Sequence, residues 1–132
     1  MIGVDTNVLV RALVDIDDPQ HEAATAFLDS LTEKSQGFIT QVTLVELYWV
    51  VHRALGIDRS STLKVIRALV ETPAFEFEDG EGVVRALSLA EEGADFADAL
   101  IHASMSLFGV TETVTFDKRA SRQLGWRFLG GE

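Results

Sequence analysis

Residues 2–10, with the sequence Ile-Gly-Val-Asp-Thr-Asn-Val-Leu-Val, combine a strand pattern, an acid and the start of a helix pattern. A short apolar run of the length of a buried strand ends at Asp5, and an apolar pattern at helical spacing resumes after Asn7. In an open α/β sheet, such an acid lies at the carboxyl edge of a strand, where these folds bind their ligands. Asp5 is therefore the first candidate site residue, and its partners are expected at the same edge.

Length and composition indicate one globular domain that covers residues 1–132, since 47% of the chain is hydrophobic. The absence of cysteine excludes a disulfide framework and a thiolate zinc site, and it fits a reducing compartment. The first strand is expected at Ile2, which leaves no signal peptide, and the longest apolar stretch is far too short to span a bilayer. We therefore expect a cytoplasmic protein that does not contact a membrane.

The net charge of −10 excludes a plain nucleic-acid-binding module that works through surface charge alone. An acidic protein can still act on nucleic acid when metal ions neutralise part of its site. An acidic surface also suits a basic protein partner, and the simplest alternative is that the charge serves solubility.

Alternating strand and helix patterns predict an α/β fold with a parallel sheet and right-handed crossovers. One helix, residues 42–55, is apolar nearly all round, which indicates burial against a sheet or another subunit. Further strands are predicted at residues 37–40, 74–78, 112–116 and 126–129, and helices at 19–34, 42–55, 58–72, 81–92, 96–108 and 118–123.

Four carboxylates stand out by their context in this pattern. Asp5 and Asp117 each follow a predicted strand directly, and either acid alone is equally well explained as a helix N-cap. Asp98 lies in the first turn of its helix, where the helix dipole favours an acid and where Asp95 is expected to be the cap. Glu46 is the only acid in the apolar helix, so it is costly to bury unless it reaches solvent or meets a partner.

Taken together, these acids are expected to converge on one edge of a parallel sheet. Clustered carboxylates repel one another and require a counter-ion, and Mg²⁺ or Mn²⁺ is the natural partner of oxygen ligands. Such an ion polarises a phosphoryl oxygen and activates water, and a second ion about 4 Å away would hold the leaving oxygen. The chemistry indicated is hydrolysis of a phosphodiester.

Four pieces of the chain, in this order, resemble PIN-domain ribonucleases, specifically the VapC-type toxins of prokaryotic type II toxin–antitoxin pairs. The pieces are Val-Asp-Thr-Asn-Val-Leu at residues 4–9, Thr-Leu-Val-Glu-Leu at 43–47, Phe-Ala-Asp-Ala-Leu-Ile-His-Ala at 96–103 and Thr-Val-Thr-Phe-Asp-Lys at 113–118. The resemblance covers essentially the whole chain. It implies a three-layer α/β/α fold with a four- to five-stranded parallel sheet, and a Mg²⁺-dependent endoribonuclease.

The resemblance also assigns roles to individual residues. Asp5 and Asp98 would hold Mg²⁺ or Mn²⁺ directly, and Glu46 and Asp117 would complete the catalytic acidic pocket. Asn7 and Thr115 would orient ligands or water. The family pattern leaves the role of Asp95 open, and its position before the helix favours a cap or a supporting residue.

The implied partners are RNA, a cognate antitoxin and a second copy of the chain. The antitoxin is expected to place basic residues in the acidic pocket, and the homodimer to use the apolar helix near Tyr48 and Trp49. Two alternatives remain. A haloacid-dehalogenase-type phosphatase is disfavoured because it needs a second Asp where Asn7 stands, and a module that binds metal or protein without catalysis would keep the fold.

Overall fold

The computed structural model describes residues 1–131. The chain divides into two compact units, residues 1–80 and residues 81 onward. Two compact units can belong to one evolutionary or functional domain, so the single domain at residues 1–132 stays a prediction. Within the described residues, no helix is both long enough and apolar enough to cross a membrane.

The first unit is built on a three-stranded parallel sheet with the order β1-β2-β3. The pairing register places Ile2 opposite Gly37 and Phe38 opposite Glu76. The elements are β1 (Ile2–Gly3), α1 (Thr6–Leu13), α2 (His21–Ser30), β2 (Gly37–Ile39), α3 (Gln41–Trp49), α4 (Arg59–Val70) and β3 (Phe75–Phe77), and a π-helical segment, Val50–Ala54, continues α3.

Apolar residues at helical spacing fix these helices on the sheet. Leu9 of α1, Leu44 of α3 and Ile66 of α4 are each fully buried. Gly37 allows β2 to pass close to its neighbours, because a Cβ at this position would lie 2.8 Å from Leu31 Cδ1 and 2.9 Å from Val4 Cγ2. This packing holds the carboxyl ends of β1 and β2, from which α1 and α3 begin, at one edge of the sheet.

The second unit contains a two-stranded parallel pair in which Val114 lies opposite Arg127. A small core of Ala94, Ala120, Leu124 and Trp126 holds the helix between the two strands in place. Trp126 Nε1 also donates a hydrogen bond of 3.0 Å to His102 Nδ1. The elements are α5 (Gly80–Glu91), which begins at the boundary, α6 (Phe96–Leu107), β4 (Val114–Thr115), α7 (Lys118–Leu124) and β5 (Arg127–Phe128).

The α/β class and the parallel pairing are confirmed, and all five strands lie where the pattern predicted them. Within residues 1–131 the strands pair in groups of three and two, so one sheet of four to five strands between two helical layers stays a prediction. The predicted helix at residues 19–34 is wrong at both ends, since α2 spans only His21–Ser30. Asp18 Oδ1 accepts from Gln20 N at 2.8 Å and forms a turn before the helix, and a Thr32–Ser35 bridge follows it.

Candidate functional site

The first acidic group, here called the Thr6 cluster, consists of Asp5, Thr6 and Glu46. Asp5 is the N-cap of α1, and its Oδ1 accepts a hydrogen bond of 2.8 Å from Thr6 N. The buried Thr6 hydroxyl donates a hydrogen bond of 2.9 Å to Glu46 Oε1 on α3. Thr6 therefore orients both carboxylates, one through its backbone and the other through its side chain.

A cavity of about 460 Å³ adjoins the Thr6 cluster, and its lining includes Asp5, Asn7, Glu46 and Arg11. Arg11 Nε lies 3.3 Å from Asp18 Oδ1, close enough for an ion pair, although Nε lacks a well-aligned hydrogen-bond acceptor. Arg11 Nη1 donates a long hydrogen bond of 3.4 Å to the carbonyl of Asn7. This acidic cavity thus carries its own cation.

The second acidic group, here called the Asp98 cluster, consists of Asp95, Asp98 and Asp117. All three line one cavity of about 310 Å³. Asp95 is the N-cap of α6, and its Oδ2 accepts from Asp98 N at 3.0 Å. Asp117 is the N-cap of α7, and its Oδ1 accepts from Arg119 N at 2.8 Å and Ala120 N at 3.1 Å. The carboxylates of the two capping residues, Asp95 and Asp117, therefore line the same cavity as Asp98, which caps no helix.

Electrostatic repulsion distinguishes Asp98 within this cluster. Burial raises the pKa of the Asp98 carboxyl, and the negative charges of Asp95 and Asp117 raise that pKa further. Arg119 also lines the cavity, but its Nη2 donates to the carbonyl of Gly93 at 2.8 Å. The arrangement is one that a bound cation would relieve.

The fates of the predicted site residues differ. Asp95 is the cap of α6, as its position before the helix predicted, while Asp98 is already helical. Glu46 is exposed rather than buried, so it carries no burial cost, and Thr6 supplies its partner.

The two predicted supporting residues lie in different clusters. Thr115 Oγ1 accepts a hydrogen bond of 3.0 Å from Asp117 N, and Asn7 lines the cavity of the Thr6 cluster. The convergence of all four predicted carboxylates on one site stays a prediction.

Two residues of the Thr6 cluster and its cavity were not singled out by sequence reasoning. Thr6 and Glu46 are forty positions apart in sequence, so no local pattern announces their hydrogen bond. Arg11 has a weak signal, since it is the only basic residue in α1 and lies one turn after Asn7. A polar residue in the first turn after a strand-end acid was the only available pointer to Thr6.

The chemistry of the Asp98 cluster fits a hard divalent cation. Its donors are carboxylate oxygens, which Mg²⁺ and Mn²⁺ prefer, and their mutual repulsion favours a positive ligand. Across residues 1–131, however, no three acidic or histidine side chains are already arranged around one metal position. The donor type and the charge balance fit the ion, and a complete set of ligands does not stand assembled in either unit.

Comparison with solved structures gives distant matches. VapC20 of Mycobacterium tuberculosis, a toxin described as cleaving the sarcin–ricin loop, shares 19% identity over 92% of this chain and 94% of that chain, with a TM-score of 0.45. FitAcB of Neisseria gonorrhoeae shares 21% identity over 98% of this chain and 97% of that chain, with a TM-score of 0.37. No curated protein sequence matches the chain.

A family model gives the stronger result. The model described as the PIN domain matches residues 2–123, which include every carboxylate of the Thr6 and Asp98 clusters. This match covers most of the chain and runs through both units. The chain belongs to the PIN-domain family.

Proposed function

We propose that the protein is an endoribonuclease that hydrolyses RNA phosphodiester bonds with the help of Mg²⁺ or Mn²⁺, and that it is the toxin of a toxin–antitoxin pair. The observation that carries the nuclease proposal is the Asp98 cluster, three carboxylates around one cavity with the pKa of Asp98 raised by burial and by its acidic neighbours. Membership of the PIN-domain family supports it. The toxin proposal follows from the four ordered sequence pieces at residues 4–9, 43–47, 96–103 and 113–118.

The proposed ligands of the ion are Asp5 and Asp98. Asp5 uses Oδ1 to cap α1, so Oδ2 is the oxygen we assign to the metal. Asp98 caps nothing, and its carboxylate projects into the acidic cavity. When bound there, the ion would polarise the phosphoryl oxygen and lower the pKa of a water molecule.

The remaining site residues position these groups or complete the charge. Glu46 accepts a hydrogen bond from the Thr6 hydroxyl, and Asp117 accepts hydrogen bonds from Arg119 N and Ala120 N. Both acids are therefore pre-oriented. Thr115 fixes the backbone of Asp117, and Asn7 is proposed to orient substrate or water. We propose, as the four ordered sequence pieces imply, that residues of both clusters serve one catalytic site in one domain.

A cleavage assay tests the proposal directly. The purified chain is incubated with a mixed RNA pool in Mg²⁺ and, separately, in EDTA, and cleavage is expected only with the metal. Asp5→Asn should abolish this activity with little loss of fold, because Asn caps a helix about as well as Asp. Full activity in Asp5→Asn would overturn the mechanism. Cleavage of a phosphomonoester instead of RNA would favour the phosphatase, and metal binding without any cleavage would favour the non-catalytic module.

The exposed face of α3 supports a homodimer. Val42 and Trp49 are 70% and 60% exposed, and they lie seven residues apart, two turns along one face of the helix. Such apolar surface marks an interface more often than a solvated face. We expect Trp49→Glu to convert a dimer to a monomer in a sizing experiment, and a monomeric wild type at high concentration would contradict this arrangement.

The proposed antitoxin inhibits by placing Arg or Lys among the carboxylates. Arginine pairs with carboxylates in bidentate fashion, and the Asp98 cluster has an excess of negative charge that a cation would neutralise. Co-expression with an antitoxin whose basic residues are neutralised one by one tests this, and inhibition that survives every substitution would exclude pocket blocking. Such a pair would act in the cytoplasm, where its RNA substrate is found.

A further inference from the structure

We propose that Phe116 is a stacking platform for an unpaired RNA base, and that Lys118 and Arg122 bind the adjoining phosphates. These three residues are here called the Phe116 platform. The inference rests on the proposed function and deepens it, because it names single-stranded RNA as the substrate form and locates its contact in the second unit.

Phe116 is one of two largely exposed phenylalanines described in the second unit. Its side chain is 77% exposed, although the same unit buries Phe96 completely and Trp126 almost completely. A buried aromatic ring stabilises a core strongly, and an exposed ring instead leaves its face available to a ligand. An exposed ring of this kind is the form in which proteins bind unpaired bases, since every base offers a flat π-face.

The backbone on both sides of Phe116 is held firmly. Thr115 Oγ1 accepts from Asp117 N, and Asp117 Oδ1 in turn accepts from Arg119 N and Ala120 N. The backbone that carries the Phe116 ring is therefore anchored between the end of β4 and the capped start of α7. Because this backbone is already ordered, only the side-chain torsions of Phe116 remain to be fixed on binding, which favours affinity.

Sequence adjacency connects the ring to the chemistry. Asp117, the next residue, lines the cavity of the Asp98 cluster. Consecutive Cα atoms lie about 3.8 Å apart, so a nucleotide stacked on Phe116 is within reach of this cavity. The ring is thus placed to position a nucleotide at the proposed site of cleavage.

Positive charge is concentrated beside the ring. The chain has 11 Lys and Arg residues against 21 acids, yet α7, with the sequence Lys-Arg-Ala-Ser-Arg-Gln-Leu, places three bases in one short helix. Lys118 and Arg122 are four residues apart, so they share one face of α7, and both are exposed. Lys118 Nζ lies 5.8 Å from the centroid of the Phe128 ring, which steadies the side chain. These charges complement an RNA backbone, whereas a purely apolar protein partner would gain nothing from them.

Phe108 provides a matched comparison within the same unit. It is 82% exposed and caps the end of α6, whose last turn has no basic residue. Both rings are therefore exposed, but only Phe116 of the two is followed in sequence by an acid of the Asp98 cluster and by the basic residues of α7. Phe108→Ala is the control for loss of an exposed ring.

The experiment measures RNA binding and cleavage separately on the full chain. Binding of a fluorescent single-stranded RNA is followed by anisotropy in EDTA and low salt, where metal-dependent cleavage is absent. Phe116→Ala should weaken binding by about 5- to 150-fold, Phe116→Trp should retain it, and Phe108→Ala should match the wild type. In Mg²⁺, Phe116→Ala should raise the KM for cleavage more than it lowers kcat.

The cations are tested by salt dependence. Replacing Lys118 and Arg122 together by Gln should reduce the slope of log affinity against log salt by about 0.7 for each phosphate that the protein no longer neutralises. An unchanged slope would remove these two residues from the proposal. Equal binding by the Lys118→Gln, Arg122→Gln variant and the wild type at every salt concentration would overturn the assignment of both side chains to phosphates.

The outcomes separate this inference from the nuclease proposal. A wild type that cleaves RNA while Phe116→Ala binds and cleaves normally overturns the platform and leaves the function intact. A wild type that does not cleave, but whose binding depends on Phe116, overturns the function and supports the platform. If Phe116→Ala changes only self-association in a sizing experiment, the ring is a protein contact and the inference is overturned.

Discussion

The Thr6 cluster and the Asp98 cluster share helix-capping aspartates but differ in the surroundings of their remaining carboxylate, Glu46 or Asp98. In the first, a neutral residue, Thr6, donates hydrogen bonds to both Asp5 and Glu46, and Arg11 lines the same cavity. In the second, three carboxylates share a small cavity, and the pKa of Asp98 is raised by burial and by its two acidic neighbours. Thr6 provides a donor for each carboxylate of the first cluster, whereas the second places two capping carboxylates beside Asp98 despite their repulsion.

From these surroundings we infer which cluster depends more on a bound cation. Donors from Thr6 offset part of the negative charge of the Thr6 cluster, so its geometry does not depend on an ion. In the Asp98 cluster, burial and the negative charges of Asp95 and Asp117 raise the pKa of Asp98, so its charged form is disfavoured. Strong dependence on metal is therefore expected first in the second unit.

The largest effect is expected from Asp98→Asn. Removing a direct metal ligand should lower cleavage by more than about 100-fold, since loss of merely supporting residues already costs about 10- to 100-fold. Mg²⁺ should also raise the melting temperature of the wild type, because a ligand that binds only the folded state stabilises it, and this rise should be absent in Asp98→Asn.

Asp95→Asn is the matched control for that substitution. It removes the same charge three residues earlier, and Asn caps α6 about as well as Asp. Because Asn keeps the cap, we expect a loss of cleavage of no more than about 10-fold, the low end of the range for supporting residues, and an unchanged Mg²⁺-dependent rise in melting temperature. If metal response is lost in Asp95→Asn and kept in Asp98→Asn, the two roles are reversed.

An intermediate effect is expected from the hydroxyl of Thr6. Thr6→Val keeps the shape of the side chain but removes the hydrogen bond to Glu46, so Glu46 loses its orientation. Cleavage should fall by about 10- to 100-fold, while the folding cost should be about 1 kcal/mol because Glu46 is exposed and remains solvated. Thr6→Ser, which keeps the hydroxyl, should stay near the wild type. Equal activity in Thr6→Val and Thr6→Ser would show that the Thr6 cluster needs no donor.

The parts that were predictable from sequence are those set by local spacing. Asp95 and Asp98 are three residues apart, the separation at which an N-cap receives a backbone N–H, and so their different positions in α6 followed from the sequence. The strand starting at Ile2 and the acid after it were predictable in the same way. The change from α-helix to π-helix at Val50 was not predictable, because π-helical hydrogen bonding has no strong residue signature.

The parts that were not predictable depend on contacts between distant residues. The hydrogen bond from Thr6 to Glu46 spans forty residues and exists only because β1 and β2 pair in parallel. Asp17, Asp18 and Pro19 form a typical helix entry, yet α2 begins later, at His21. In the structure the Asp18 side chain accepts from Gln20 N in a turn and pairs with Arg11. The sequence is compatible with both arrangements, and the structure shows the turn together with the Arg11–Asp18 ion pair.

The smallest expected effect comes from Asp58, a carboxylate that is only a cap and so gives a reference for both clusters. Its hydrogen bond from Ser61 N lowers the pKa of the Asp58 carboxyl from the usual 3.8, the direction opposite to that of Asp98. A lowered folded-state pKa means that Asp58 stabilises the fold above pH 3.8 and loses this contribution as pH falls through the lowered value. Asp58→Asn cannot titrate, so the small stability advantage of the wild type near pH 7 should shrink on acidification. Urea unfolding at several pH values would measure it, with Asp17→Asn in the exposed turn before α2 as the charge control, and an advantage that grows at low pH would contradict the cap-only role.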